Sequence, residues 1–102
     1  MYEVRFKGSK AKKDFTRLLS GLSKNIKARI RETLENNPYP TPTHGNSLNK
    51  IEKKGALFCY PVSGGDRILY DIISIEQNKK VVLIHYSGND DGEQRYLKKY
   101  AK

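Results

Sequence analysis

The 102-residue chain has no tryptophan, one cysteine and one methionine. A single thiol excludes an intrachain disulfide framework and a multi-cysteine zinc site. It suits a reducing compartment, so the cytoplasm is the expected location. Acidic residues are scarce: 11 Asp and Glu stand against 20 Lys and Arg, a formal net charge of +9. That balance argues against an acidic buffer protein and for a polyanionic partner. The longest strictly aliphatic run, Val81-Val82-Leu83-Ile84, is far too short to span a bilayer. The opening MYEVRFKGSK lacks the apolar core of a secretory signal. No membrane partner is expected. Internal repeats and low-complexity tracts are also missing. What is present is packing material: 36% hydrophobic residues, with seven Tyr and three Phe, are too many for a disordered basic tail. The length fits one domain, 1–102, whose core needs neither metal nor disulfide.

The positive charge is uneven. Residues 1–37 carry a net +6, residues 38–65 a net +2 and residues 66–102 a net +1. Tyr2, Val4 and Phe6 alternate with Glu3, Arg5 and Lys7, the period of a half-buried strand. Gly8-Ser9 breaks it, with Ser9 available as a helix cap. Ala11, Phe15, Leu18, Leu19 and Leu22 recur at spacings of three and four, which predicts a helix over 10–20. Gly21 ends that helix and Ser23 opens a second over 24–36, where Ile26, Ile30 and Leu34 continue the stripe. Asn36-Asn37-Pro38 stops it. The stretch YPTPTHGNSLNKIEKKG reads as an ordered surface loop, because its prolines and polar residues interrupt regular structure. Three strands are expected next, at 56–62, 67–75 and 80–87, separated by Gly- and Asn-containing turns. A loop over 88–92 then leads to a short polar helix at 93–101. The expected class is α+β, in the order β-α-α-β-β-β: a helical hairpin on one face of a four-stranded, mainly antiparallel sheet, followed by a short C-terminal helix.

Four stretches, YEVRFKGSKAKKDFTRL, LENNP, SGGDRILYDI and VVLIHYSGNDDGEQRY, occur in an order and spacing that resembles the RelE/ParE superfamily of toxins from bacterial type II toxin–antitoxin systems. The resemblance covers nearly the whole chain. It implies a toxin neutralised by a cognate antitoxin, with an acidic contact segment expected from the +9 charge. RelE-like members are ribosome-dependent endoribonucleases that cleave mRNA without a metal or other cofactor. ParE-like members share the fold, poison DNA gyrase and lack the nuclease residues. A degenerate member that only binds an antitoxin or RNA is the third alternative. Fold does not choose among them.

Metal-free RNA cleavage needs a proton acceptor for the 2′-OH, positive charge at the phosphate and a proton for the leaving oxygen. Arg67 matches the arginine that RelE-like nucleases aim at the scissile phosphate, and its fork can grip two phosphate oxygens. It is equally readable as a structural residue paired with Asp66, Asp71 or the C-terminal acids. Tyr96 matches the C-terminal tyrosine that stacks on a base or assists proton transfer in RelE; the plainer role is an anchor for the last helix. His85 corresponds to the histidine that YoeB- and HigB-type relatives use as acid or base, or is a satisfied core histidine. Tyr86 points to the opposite face from His85, so at most one of the pair lines a given cleft. The candidate RNA-binding residues are Lys7, Lys10, Lys12, Lys13, Lys50, Lys53 and Lys54, acting through counterion release. The sequence departs from RelE in two places. Leu57-Phe58-Cys59-Tyr60 stands where RelE has basic residues, and Asn89-Asp90-Asp91 follows Gly88 where RelE has a Lys-Arg pair. Acids at that point repel a phosphate.

Overall fold

A computed structural model describes residues 2–39 and 51–100, and the structural statements below concern these residues. The alternating N-terminal segment forms strand β1 (Glu3–Phe6). Helix α1 (Ser9–Ser20) and helix α2 (Lys24–Asn36) follow. Gly8, rather than Ser9, occupies the cap position of α1 and supplies no side-chain acceptor. Ser23 caps α2, its Oγ accepting from the Ile26 N–H at 3.3 Å. Strands β2 (Glu52–Lys54), β3 (Leu57–Pro61), β4 (Asp66–Glu76) and β5 (Lys79–Asn89) come next, and helix α3 (Asp90–Tyr100) closes the chain.

The fold is α+β, but the sheet has five strands rather than the expected four, in the order β1-β5-β4-β3-β2. The extra strand, β2, lies in the segment read as loop. It pairs antiparallel with β3 across a turn at Gly55, where φ is +65°. β1 runs parallel to β5, and the other neighbours are antiparallel. The expected loop over 88–92 does not form. β5 continues to Asn89, and α3 starts at Asp90. The proline-rich stretch 40–50, with His44 and Lys50, lies outside the described residues.

Period-two patterning places two different layers on the sheet. On one face Tyr60, Ile68, Tyr70, Val82 and Ile84 meet Ile30 and Leu34 of α2, with Phe15, Leu18 and Leu19 of α1 packed at the margin. Ile30 and Leu34 are almost wholly buried. Truncating either to alanine is expected to cost about 2–5 kcal/mol. Two hydrogen bonds tie the helical hairpin to the sheet: the Tyr70 hydroxyl donates to the Pro38 carbonyl at 2.6 Å, and the Tyr2 N–H donates to the Glu35 carbonyl at 2.6 Å. On the opposite face Leu57, Cys59 and Leu69 are covered by Tyr96, Leu97 and Tyr100 of α3. The helical hairpin thus takes one face, as its stripe requires, and α3 takes the other. No described helix is long and apolar enough to cross a membrane.

Candidate functional site

The site is created by a break in register. Leu69 of β4 stands opposite Tyr86, but the next residue, Tyr70, stands opposite Ile84. His85 is therefore the extra residue of a β-bulge, without a partner in the ladder. The bulge cancels the alternation that would separate neighbouring side chains. His85 and Tyr86 line one cavity together with Tyr96, contrary to the expectation that only one could. Lys7, Gly8, Lys10 and Ala11, around the start of α1, form the facing wall of this space of about 220 Å³. A larger opening of about 470 Å³ shares Lys10, Tyr86 and Tyr96 and adds Arg95 and Lys99 of α3.

Within this groove His85 Nδ1 lies 2.8 Å from the Tyr96 hydroxyl. Tyr100 meets the imidazole edge-on at 5.1 Å, and Tyr86 stacks on Tyr96 at 6.0 Å. The Lys7 ammonium sits 4.9 Å above the Tyr100 ring. His85 is only 7% exposed, and its Nε2 is buried without a partner. Burial pushes its pKa below the ordinary 6.5, and the Lys7 charge adds to the effect against a smaller opposing influence of Asp71. The imidazole is accordingly neutral at pH 7. Burial raises the Tyr96 pKa, so its phenol keeps the proton. A neutral imidazole bonded to a protonated phenol has the protonation states in which a proton can pass from phenol to ring.

Arg67 belongs to a different cluster. Its Nε lies 3.6 Å from Glu93 Oε1 and 3.5 Å from Asp90 Oδ1. Lys54 approaches the same Glu93 oxygen at 3.5 Å, and the Cys59 thiol donates to Glu93 Oε2 at 3.0 Å. Glu93 is 0% exposed, and two cations flank it. Burial, followed by the bond to Glu93, pushes the Cys59 thiol up to about 12, which makes it a poor nucleophile. Of the two alternatives for Arg67, pairing with the C-terminal acids is the geometry observed. The acids after Gly88 have a local cause as well. Asn89 Oδ1 accepts the Gly92 N–H at 2.9 Å, and Asp90, Asp91 and Glu93 occupy the first turn of α3. Carboxylates are favoured there by the helix dipole.

The structure therefore joins His85 to Tyr96 and holds Arg67 among acids. It also divides the expected RNA-binding lysines. Lys7 and Lys10 line the groove. Lys12 and Lys13 are exposed along α1. Lys53 and Lys54 lie on β2, at the sheet edge remote from β1, where Lys53 approaches the Phe58 ring and Lys54 turns to Glu93. Sequence reasoning missed Glu93, Arg95 and Lys99. The run of acids Asp90, Asp91 and Glu93 at a helix start was the available signal for the first. The i, i+4 series Arg95, Lys99 beside Tyr96, Tyr100 was the signal for the others. Comparison with protein-family models, curated proteins and solved structures found no match.

Proposed function

We propose that the chain is the toxin of a type II toxin–antitoxin pair, a RelE-like endoribonuclease that cleaves mRNA on the ribosome in the cytoplasm. The observation that carries this reading is the 2.8 Å contact between His85 Nδ1 and the Tyr96 hydroxyl in a groove walled by lysines. The 2′-OH of the RNA passes its proton to the Tyr96 oxygen as Tyr96 passes its own to His85 Nδ1. The 2′ oxygen attacks the adjacent phosphorus, the bond to the 5′ oxygen breaks, and that oxygen takes a proton from water. The products are a 2′,3′-cyclic phosphate and a 5′-OH end; the imidazolium then returns its proton to solvent. Tyr86 and Tyr96 supply ring faces for a base, worth about 1–3 kcal/mol per stacked base. The +9 charge supports an acidic antitoxin segment and association with ribosomal RNA.

The test is single-turnover cleavage of mRNA on programmed ribosomes. Loss of a positioned acid–base group costs typically 10²–10⁴ in rate. Both His85→Gln and Tyr96→Phe should fall in that range and be non-additive, since they remove one relay. Wild-type protein that cuts nothing but stalls purified gyrase sinks the nuclease reading in favour of the ParE-like one. A second reading rests on Arg67. Its guanidinium is engaged by Asp90 and Glu93, which supports a catalytically silent member that binds only antitoxin or RNA. Such a protein would bind ribosomes with a steep salt dependence and leave mRNA intact.

A further inference from the structure

Cleavage of RNA without a metal needs positive charge against the phosphate, and Arg67 is engaged by Asp90 and Glu93. The cavity that holds His85 and Tyr96 has two lysines in its wall, Lys7 and Lys10, and one carboxylate, Asp14. The two lysines are not equivalent. Lys10 is committed: its ammonium lies 3.6 Å from Asp14, one turn further along α1. Lys7 is exposed and meets no carboxylate among the described residues. Its ammonium rests over the Tyr100 ring, 4.9 Å from the centroid. Tyr100 in turn meets His85 edge-on at 5.1 Å and stacks on Tyr96 at 6.2 Å. One ring thus joins the cation to both members of the pair. The backbone supports the same placement. The Lys7 N–H donates to the Ile84 carbonyl at 2.9 Å, which anchors Lys7 at the peptide joining Ile84 to the bulged His85. The Lys7 charge also reaches the imidazole: after burial it is the largest influence holding His85 neutral.

We infer that Lys7 is the phosphate-binding cation at the His85–Tyr96 pair, the role that the resemblance assigns to Arg67. The inference rests on the nuclease reading and adds a catalytic residue to it. A ring quadrupole orients an ammonium without neutralising it, so the full charge stays available to a phosphate. A phosphate that turns to Lys10 must compete with Asp14. No proton moves through Lys7. The 2′-OH proton still goes to the Tyr96–His85 pair, the bond to the 5′ oxygen breaks, and water protonates that oxygen. Lys7 keeps its charge and offsets the negative charge that builds on the non-bridging oxygens as the 2′ oxygen attacks.

The experiment is single-turnover cleavage of mRNA by the full chain over a range of programmed-ribosome concentrations. Lys7→Met should lower the rate at saturation by roughly 10²–10³, as removal of an oxyanion donor does, and leave the melting temperature unchanged. Lys7→Arg should recover at least tenfold of that loss. Lys10→Met should mainly raise the half-saturating concentration. A saturated rate for Lys7→Met close to that of wild type, or an equal fall in Lys10→Met, would overturn the inference and leave the nuclease reading standing. If the wild-type chain cuts no mRNA, a second readout decides. The isotope-labelled chain is titrated with uridine 3′-monophosphate and with uridine, following the ring resonances of His85 and Tyr96. Saturable shifts with the nucleotide alone, weakened several-fold by Lys7→Met, would remove the nuclease reading and keep Lys7 as the phosphate-binding residue. No shifts, an equal response to uridine, or binding indifferent to Lys7→Met would remove both.

Discussion

Gly92 sits in the first turn of α3, where alanine would ordinarily stabilise a helix by up to about 1 kcal/mol. Here a Cβ would fall 1.9 Å from the Tyr86 hydroxyl oxygen and 2.7 Å from the ring carbon that carries it. Both distances are impossible, so Tyr86 must swing away. Its hydroxyl then loses the 3.0 Å bond to the Asn89 carbonyl, worth about 1 kcal/mol. Its ring loses the stack on Tyr96, worth roughly 0.5–1.5 kcal/mol. Set against the propensity gain, Gly92→Ala should destabilise by about 1 kcal/mol. In a Tyr86→Ala background nothing opposes the new methyl, and the same substitution should stabilise by up to about 1 kcal/mol. The sign reversal implies a coupling energy of about 2 kcal/mol, readable from urea unfolding of the four proteins in a double-mutant cycle. Tyr86→Phe should restore little, because the ring carbon alone still clashes. Stabilisation by Gly92→Ala in both backgrounds would refute the placement of Tyr86 over the start of α3, and with it the aromatic wall of the groove.

Arg67→Ala should cost roughly 2–3 kcal/mol in urea unfolding, below the 3–5 typical of a stripped buried charge because Lys54 still faces Glu93. Adding Glu93→Gln should recover part of that loss; a further loss would show that the ion cluster is not what Arg67 supports. His85 is held neutral in the folded state, so the unfolded chain binds the extra proton as pH falls through 6.5. Wild-type stability should therefore drop as pH falls below 6.5 and level off once the folded imidazole also protonates. His85→Gln should lack that component, and parallel pH curves for the two proteins would contradict it. Cys59, fully buried with its thiol pKa raised to about 12, should resist iodoacetamide in the native state and react on unfolding. Rapid alkylation of folded protein would contradict the packing of α3 over Cys59.

The two helices and the long strands were legible because each carries its period in consecutive residues. Leu22, Ile26, Ile30 and Leu34 announce a stripe, and Tyr2, Val4 and Phe6 an alternation. β2 was not legible: Glu52-Lys53-Lys54 has three polar residues and no period, and it is a strand only because β3 offers it an edge. The bulge at His85 was hidden for a related reason. A one-residue slip between strands is a property of their pairing, and no local pattern in VVLIHYS encodes it. The site inherits both outcomes. His85 and Tyr96 were nameable from the sequence, whereas the company of Tyr86, and the capture of Arg67 by a buried Glu93, depend on where α3 lands.

The parallel pairing of β1 with β5 sets residue 3 beside residue 81. Closing a loop of that length costs roughly 4 kcal/mol in chain entropy, recovered only when the last strands arrive. During synthesis β1 and the helical hairpin leave the ribosome before strands β2 to β5, with their apolar stripe facing no sheet. The strands that cover it, β3 to β5, are made later, and His85 and Tyr96 later still. Nascent fragments therefore expose an aggregation-prone face and carry no assembled relay. Under the proposed function this order of events keeps a partly made chain harmless to the ribosome that is translating it, because the residues that would act on RNA are joined only after the helical hairpin and the earlier strands.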